Sequence, residues 1–208
     1  MRNKYIFLIV TMLMLSVPAV GAAQDKQPAF TPFAGLKIGG ALHSVFSELD
    51  PAAQVELEGG VSLLGNRLDV ALQVSWDRSA ASGSASDDRF DTGAVKWELD
   101  QDFLMIGVVA RYRFLPMDKP YNAYAGAGPR LLLMRTTVNG TSGDGSLGEN
   151  TQTETRFGAV LVAGGEYRLG PGDLLIELAM GIGSIDGLIT GQSSASALSV
   201  LLGYRLRF

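Results

Sequence analysis

Residues 201–208 read "LLGYRLRF". Alternate positions separate into two sets: Leu202, Tyr204, Leu206 and Phe208, and Leu201, Gly203, Arg205 and Arg207. Successive side chains of a strand point to opposite faces. The segment is therefore a strand with one wholly apolar face and one face carrying two arginines and a glycine. The last residues of a soluble domain are usually free to fray. These are patterned to be held in a sheet on both sides.

The same alternation recurs upstream. It predicts eight strands, near 31–44, 53–64, 67–78, 95–114, 120–138, 151–169, 173–186 and 195–208. The turns after the second, fourth and sixth are short: Gly65-Asn66, "LPMDKP" (115–120) and Gly170-Pro171-Gly172. The other connections are mostly longer and polar, as in "SAASGSASDDRFDTG" (79–93) and "NGTSGDGSLGEN" (139–150). Short turns at one end and long loops at the other describe an up-and-down barrel with two unlike ends. An even strand number brings both termini to the short-turn end.

Alternation alone does not say which set faces out; size does. One set holds Val55, Leu57, Leu72, Val74, Trp76, Leu104, Ile106, Leu174, Ile176, Leu178, Met180, Leu198, Val200 and Leu202. The other holds charged residues and glycines, among them Gly35, Gly39, Gly60, Gly107, Gly126, Gly164 and Gly181. The interior of an eight-stranded barrel is only wide enough for side chains, and the bulky set would overfill it. The bulky set therefore faces outward as a continuous apolar band, far beyond the few hundred Å² a water-soluble monomer exposes. A bilayer requires such a band, and a spanning strand needs only ~9–11 residues. The expected fold is all-β: an eight-stranded antiparallel up-and-down transmembrane β-barrel.

The inward set contains the bases Lys37, Arg111, Arg113, Arg130, Arg205 and Arg207 and the acids Glu56, Glu58, Asp69, Glu166 and Glu177. Their similar numbers predict an ionic network inside the barrel. It could line an ion channel or form a salt-bridged plug; the narrow lumen favours the plug. Aromatic residues predict two interfacial girdles. Phe33, Phe114, Tyr121, Tyr167, Tyr204 and Phe208 mark the short-turn end, and Trp76 and Trp97 the other.

Composition agrees. Hydrophobic residues make up 47% and charged residues only 18%, against ~25% charged in soluble domains. With no Cys and one His, disulfides, thiolate chemistry and a multi-histidine metal site are excluded. Residues 1–23 read as a cleaved signal peptide: Arg2 and Lys4, an apolar run over 5–15, then Gly21 and Ala23 before the cleavage point. No Cys follows for a lipid anchor. The barrel domain is then 24–208. Cleavage shifts the formal charge from −4 to about −6, because residues 1–23 hold two bases and no acid. That balance argues against nucleic-acid partners.

The stretches "ARYRFLPMDKPYNAYAGAGPRL" (110–131) and "ALSVLLGYRLRF" (197–208) resemble the outer-membrane β-barrel family that includes OmpX and the barrel domain of the OmpA group. The first is similar to that family's central strand–turn–strand pattern. The second is similar to its C-terminal assembly signal. The resemblance covers about residues 28–208. It implies location in the cell outer membrane, contact with outer-membrane lipid and lipopolysaccharide, and insertion by the outer-membrane assembly machinery through Tyr204, Leu206 and Phe208. No peptidoglycan-binding domain is expected after the barrel.

Catalytic and metal motifs are weak. His43 and Ser44 are adjacent, so on a strand they face opposite ways and form a poor dyad. Asp144 and Glu149 lack the acidic spacing of a calcium loop. Asp87, Asp88 and Asp91 lie in a polar loop where divalent cations bridging lipopolysaccharide could be met. Gly126 and Gly128 lack the Lys-Ser/Thr and helix of a phosphate loop. The expectation is a non-enzymatic protein without cofactor or metal, with a structural or interaction role in the cell envelope and external loops as its binding surface. The alternatives are a narrow porin-type channel and a lipid-A-modifying barrel enzyme.

Overall fold

The computed structural model describes residues 30–43, 49–86, 94–142, 145–183 and 196–208. The expected signal segment, Ser44, Asp87, Asp88, Asp91 and Asp144 lie outside them. The eight strands are β1 (Thr31–His43), β2 (Ala52–Leu63), β3 (Leu68–Ser86), β4 (Ala94–Arg113), β5 (Tyr121–Ser142), β6 (Gly145–Leu169), β7 (Gly172–Gly183) and β8 (Ala197–Arg207). Each pairs antiparallel with the next, and β8 returns to β1 to close the ring. The closing register aligns Phe33 with Arg207 and His43 with Ala197. The Phe208 N–H extends it by donating to Pro32 O at 2.9 Å.

The alternation resolves in the direction that size requires. Leu72, Ile176 and Leu202 are 49%, 55% and 56% exposed, whereas Glu177 and Arg205 on the opposite face are 1% and 0% exposed. Two girdle residues depart from this scheme. Phe33 is buried in the lumen, because it shares the parity of Gly35 and Lys37; its place near a strand end does not set its face. Trp97 has the parity of the buried Leu99 and lies across from Gly83. It packs over that glycine's backbone on the inward face.

Three strands, β3, β5 and β6, run further than expected. β3–β4 pairing continues to Ser86↔Ala94, and β5–β6 pairing to Ser142↔Gly145. Much of the two polar "loops" is therefore sheet. The β-branched Thr136, Thr137, Val138, Thr151, Thr153 and Thr155 end the expected strands in residues that suit a pleated sheet, and backbone pairing carries on from them through Asn139–Ser142 and 145–150. Across the outward face the row Trp76, Leu104, Leu133 is followed one step further by Arg78, Asp102, Arg135. The apolar band ends there, and the β3–β6 sheet projects past it. Among the described residues, 145–157 of β6 have no second strand partner, since pairing with β7 begins at Gly158↔Gly183. On the other side β2–β3 pairing stops at Gln54↔Asp77.

At the short-turn end the chain reverses through Leu64, Gly65 and Asn66 at φ of 53°, 64° and 69°, a left-handed region that glycine and asparagine tolerate. Inside the barrel, glycine has another use. Phe33 lies across from Gly60, Lys37 from Gly203, Arg111 from Gly126 and Tyr124 from Gly164. A Cβ on those four glycines would stand 2.6–2.8 Å from the large neighbour's side chain. Each bulky lumen residue thus leans over a glycine on the adjoining strand, and the lumen fills without bursting.

Adding a methyl at Gly126 would meet Arg111 Cγ at 2.6 Å and Ala110 O at 2.3 Å. Gly126→Ala is expected to destabilise the barrel by roughly 1–3 kcal/mol. Gly59→Ala, whose Cβ would meet nothing nearer than 4.0 Å, is expected to stay within about 0.5 kcal/mol of wild type. Urea unfolding in lipid vesicles measures both, and equal effects would contradict the glycine pairing.

Candidate functional site in the lumen

From the short-turn end upward, the lumen opens with Arg113, which forks onto Asp69 at 2.8 and 2.6 Å and also binds Glu166. Arg207 reaches Asp173 at 2.5 Å and Ser62 Oγ at 2.8 Å; the same hydroxyl donates to Asp69 at 2.5 Å. One step higher, Glu58 is a hub. It accepts Arg205 Nε at 2.6 Å and Arg111 Nη1 at 2.7 Å, with Lys37 Nζ at 3.0 Å. Lys37 also donates to Glu56 at 2.8 Å and Glu177 at 2.7 Å. Arg205 reaches on to Asp69 and Glu166. The whole set is one connected network.

Of the expected interior residues, the structure brings ten into this network. Arg130 is in the lumen but stands higher. Three participants were not in the expected interior set. Asp173 carries Arg207. Tyr124 donates its hydroxyl to Glu177 at 2.9 Å. Phe33 puts its ring 4.8 Å from the Arg205 guanidinium carbon and 5.8 Å from that of Arg111, a cation–π arrangement. Strand parity would have placed all three inside.

Above the charges the expectation of a purely glycine-and-charge lumen is corrected. Val109, Val160, Val162 and Ala179 form one buried apolar cluster, and Phe103, Met105, Leu132 and Met134 a second, against which Leu49 packs. The stretches "FLMIGVV" and "LLLM" are apolar on both faces, so alternation could not expose this layer. Unbranched methionines suit its irregular volume. Beside Phe103 sits His43, its ring stacked at 4.1 Å and its Nε2 2.7 Å from Asp77 Oδ1. The His43 side chain is 2% exposed and faces the lumen, not lipid. No group of three His, Cys, Asp or Glu positioned for a metal occurs among the described residues.

A closed eight-stranded ring with an apolar outside and a packed ionic inside defines an integral β-barrel of the outer membrane. The chain belongs to the outer membrane protein beta-barrel domain family, whose model matches residues 7–207. Solved structures share the fold. The Neisserial surface protein A aligns with a TM-score of 0.54 at 19% identity, covering 88% of this chain and 100% of that one. OprG from Pseudomonas aeruginosa aligns at 0.51 and 12% identity, covering 90% and 99%. A search of curated proteins returns no sequence match. The protein resides in the outer membrane.

Removing one partner from a buried ion-pair network leaves uncompensated charge, which costs about 3–5 kcal/mol. Glu58→Ala takes one carboxylate from Lys37, Arg111 and Arg205 at once and is expected to cost that much in an unfolding titration. A loss below about 1 kcal/mol would show that the network does not hold the lumen.

Proposed function

We propose that the barrel is a plugged membrane anchor that displays the projecting β3–β6 sheet to the exterior as a binding surface, with no catalytic role. One observation carries this reading: the sheet continues past the last outward apolar row, and among the described residues two of its edges lack a strand partner there. Unpaired edge N–H and C=O groups are a template for another chain. Charges gather at the base of the sheet. Arg78 pairs with Asp100 at 3.0 Å, and Arg135 stands beside Asp102, where lipopolysaccharide phosphates and their cations would lie.

The full packing of Lys37, Glu58, Arg111, Glu177 and Arg205 supports a plug over a porin. The inward turn of His43 speaks against chemistry on lipid. Residues 1–23 act, in this reading, as the removed export signal. Tyr204, Leu206 and Phe208 act as the assembly signal. Leu206 and Phe208 point outward, and the Tyr204 hydroxyl donates to Leu169 O at 2.5 Å, leaving an aromatic edge at the end of the closing strand.

Three measurements test the proposal. Purified protein in planar bilayers is expected to give no steady single-channel current; regular conductance steps would instead support the porin. Replacing residues 137–151 by a short turn is expected to keep heat-modifiable gel mobility but abolish attachment of expressing cells to the surfaces the wild type binds. Unchanged attachment would remove the sheet as the binding surface. Phe208→Ala is expected to lower outer-membrane levels severalfold in cells while refolding into detergent proceeds as in wild type; equal loss in both would mean a packing defect instead.

A further inference from the structure

Arg130 leaves β5 where the backbone ladder is interrupted. Between Gly107↔Arg130 and Ala110↔Ala127 the pairing of β4 with β5 lapses, because Pro129 has no N–H to give. Glycine on both neighbouring strands, Gly107 and Gly158, clears the side chain's path into the lumen. A Cβ on Gly181 would lie 1.8 Å from Arg130 Nη2. The side chain lines a chamber of about 10 Å³, room for one water-sized sphere. Glu56 lines it too, with Gln54, Gln73, Ser75 and Ser199 as the other polar members. Those four neutral residues are buried, at 3–6% exposure.

The ionic network sets six carboxylates, Glu56, Glu58, Asp69, Glu166, Asp173 and Glu177, against five bases, Lys37, Arg111, Arg113, Arg205 and Arg207. The surplus negative charge sits at Glu56. Among the described residues its one direct cation is Lys37, at 2.8 Å, and that ammonium is shared with Glu58 and Glu177. Arg111 serves those two as well, but not Glu56. Arg130 is the matching sixth base. Among the described residues no carboxylate comes within ion-pair distance of it, and the carboxylates whose charge acts on it are Glu56 first and then Asp77. Asp77 is held by His43 at 2.7 Å. Two unlike charges therefore face one chamber without touching. The same wall carries two idle amide atoms. Gln54 Oε1, an acceptor, and Gln73 Nε2, a donor, have no hydrogen-bond partner within the protein.

We infer that this chamber holds one ordered water, which carries the charge contact between Arg130 and Glu56 and makes Arg130 the sixth base of the network. The water accepts from Arg130 and Gln73 and donates to Glu56 and Gln54. Four hydrogen bonds lie within the range that buried waters make. Because water both gives and takes, it suits either orientation of the two amides. Ions do not fit so well. An anion would meet the Glu56 carboxylate, and a metal cation would meet the Arg130 guanidinium. The bridge crosses the lumen from β5 to β2 and β3. It holds β5 from inside, next to the point where its ladder to β4 is interrupted.

The wild-type protein decides the matter without a variant. Its crystals are expected to show one ordered water within hydrogen-bond distance of both the Arg130 guanidinium and the Glu56 carboxylate. A dry chamber, a bound ion or a direct Arg130–Glu56 contact would overturn the inference. Urea unfolding in lipid vesicles reads the same link in the bilayer. Glu56→Gln and Arg130→Gln are each expected to lower the midpoint. The double variant is expected to unfold no earlier than Glu56→Gln alone, because both changes break one bridge. Losses that simply add, as for independent sites, would contradict it. In Arg130→Gln, amide exchange at Ala110 and Ala127 is expected to rise severalfold while exchange at Phe33 and Arg207 stays as in wild type. Unchanged exchange at 110 and 127 would count against the hold on β5.

Discussion

A peptide N–H or C=O left unpaired in hydrocarbon costs several kcal/mol, and this constraint organises the molecule. Seven antiparallel hairpin pairings would still leave two edges in lipid. The pairing of β1 with β8 removes both and turns a sheet into a ring. Once the ring closes, each strand has one face on lipid and one in the lumen, and the two-residue period of the sequence becomes a division between solvents. Leu202 and Arg205 are three residues apart and live in different media. Outside the bilayer the constraint lapses, and there, among the described residues, the β3–β6 sheet has edges without a strand partner that water can solvate.

The inside of the ring is a packing problem as much as an electrostatic one. Eight strands leave space for side chains and little else. Arginine and lysine fit only because glycine faces them, as Gly126 does Arg111 and Gly203 does Lys37. In that dry space each charge needs a partner, and the hubs Glu58 and Lys37 each serve three. Pairing offsets desolvation without making the network a large net source of stability. Its stronger effect is on register, since a one-residue slip would carry Arg205 or Glu177 into lipid. Above the charges the lumen changes character, and methionine and valine close it by apolar contact.

The fold was legible because hydropathy alternates over almost every strand, and because barrel size decides which face is out. Lumen charges were legible for the same reason. What stayed hidden had physical causes. The apolar upper lumen lies on strands greasy on both faces, where Leu132 and Leu133 look alike in sequence. Phe33 was misplaced because aromatics near strand ends suggest an interface, though its parity with Lys37 put it inside. The projecting sheet was read as loop because Ser, Gly and Thr mark turns in one context and wet strand in another. That Arg130 stands above the ionic network follows from the registers of β5 with β4 and β6, and that no spacing conveys.

The orientation of the two faces can be measured directly, since the native chain has no Cys and single labels can be placed at will. Spin labels at each position from 174 to 181 of β7, in lipid bilayers, report collision with oxygen dissolved in the hydrocarbon. High accessibility is predicted at 174, 176, 178 and 180 and low accessibility at 175, 177, 179 and 181. A reversed pattern, or none with period two, would contradict the barrel described here.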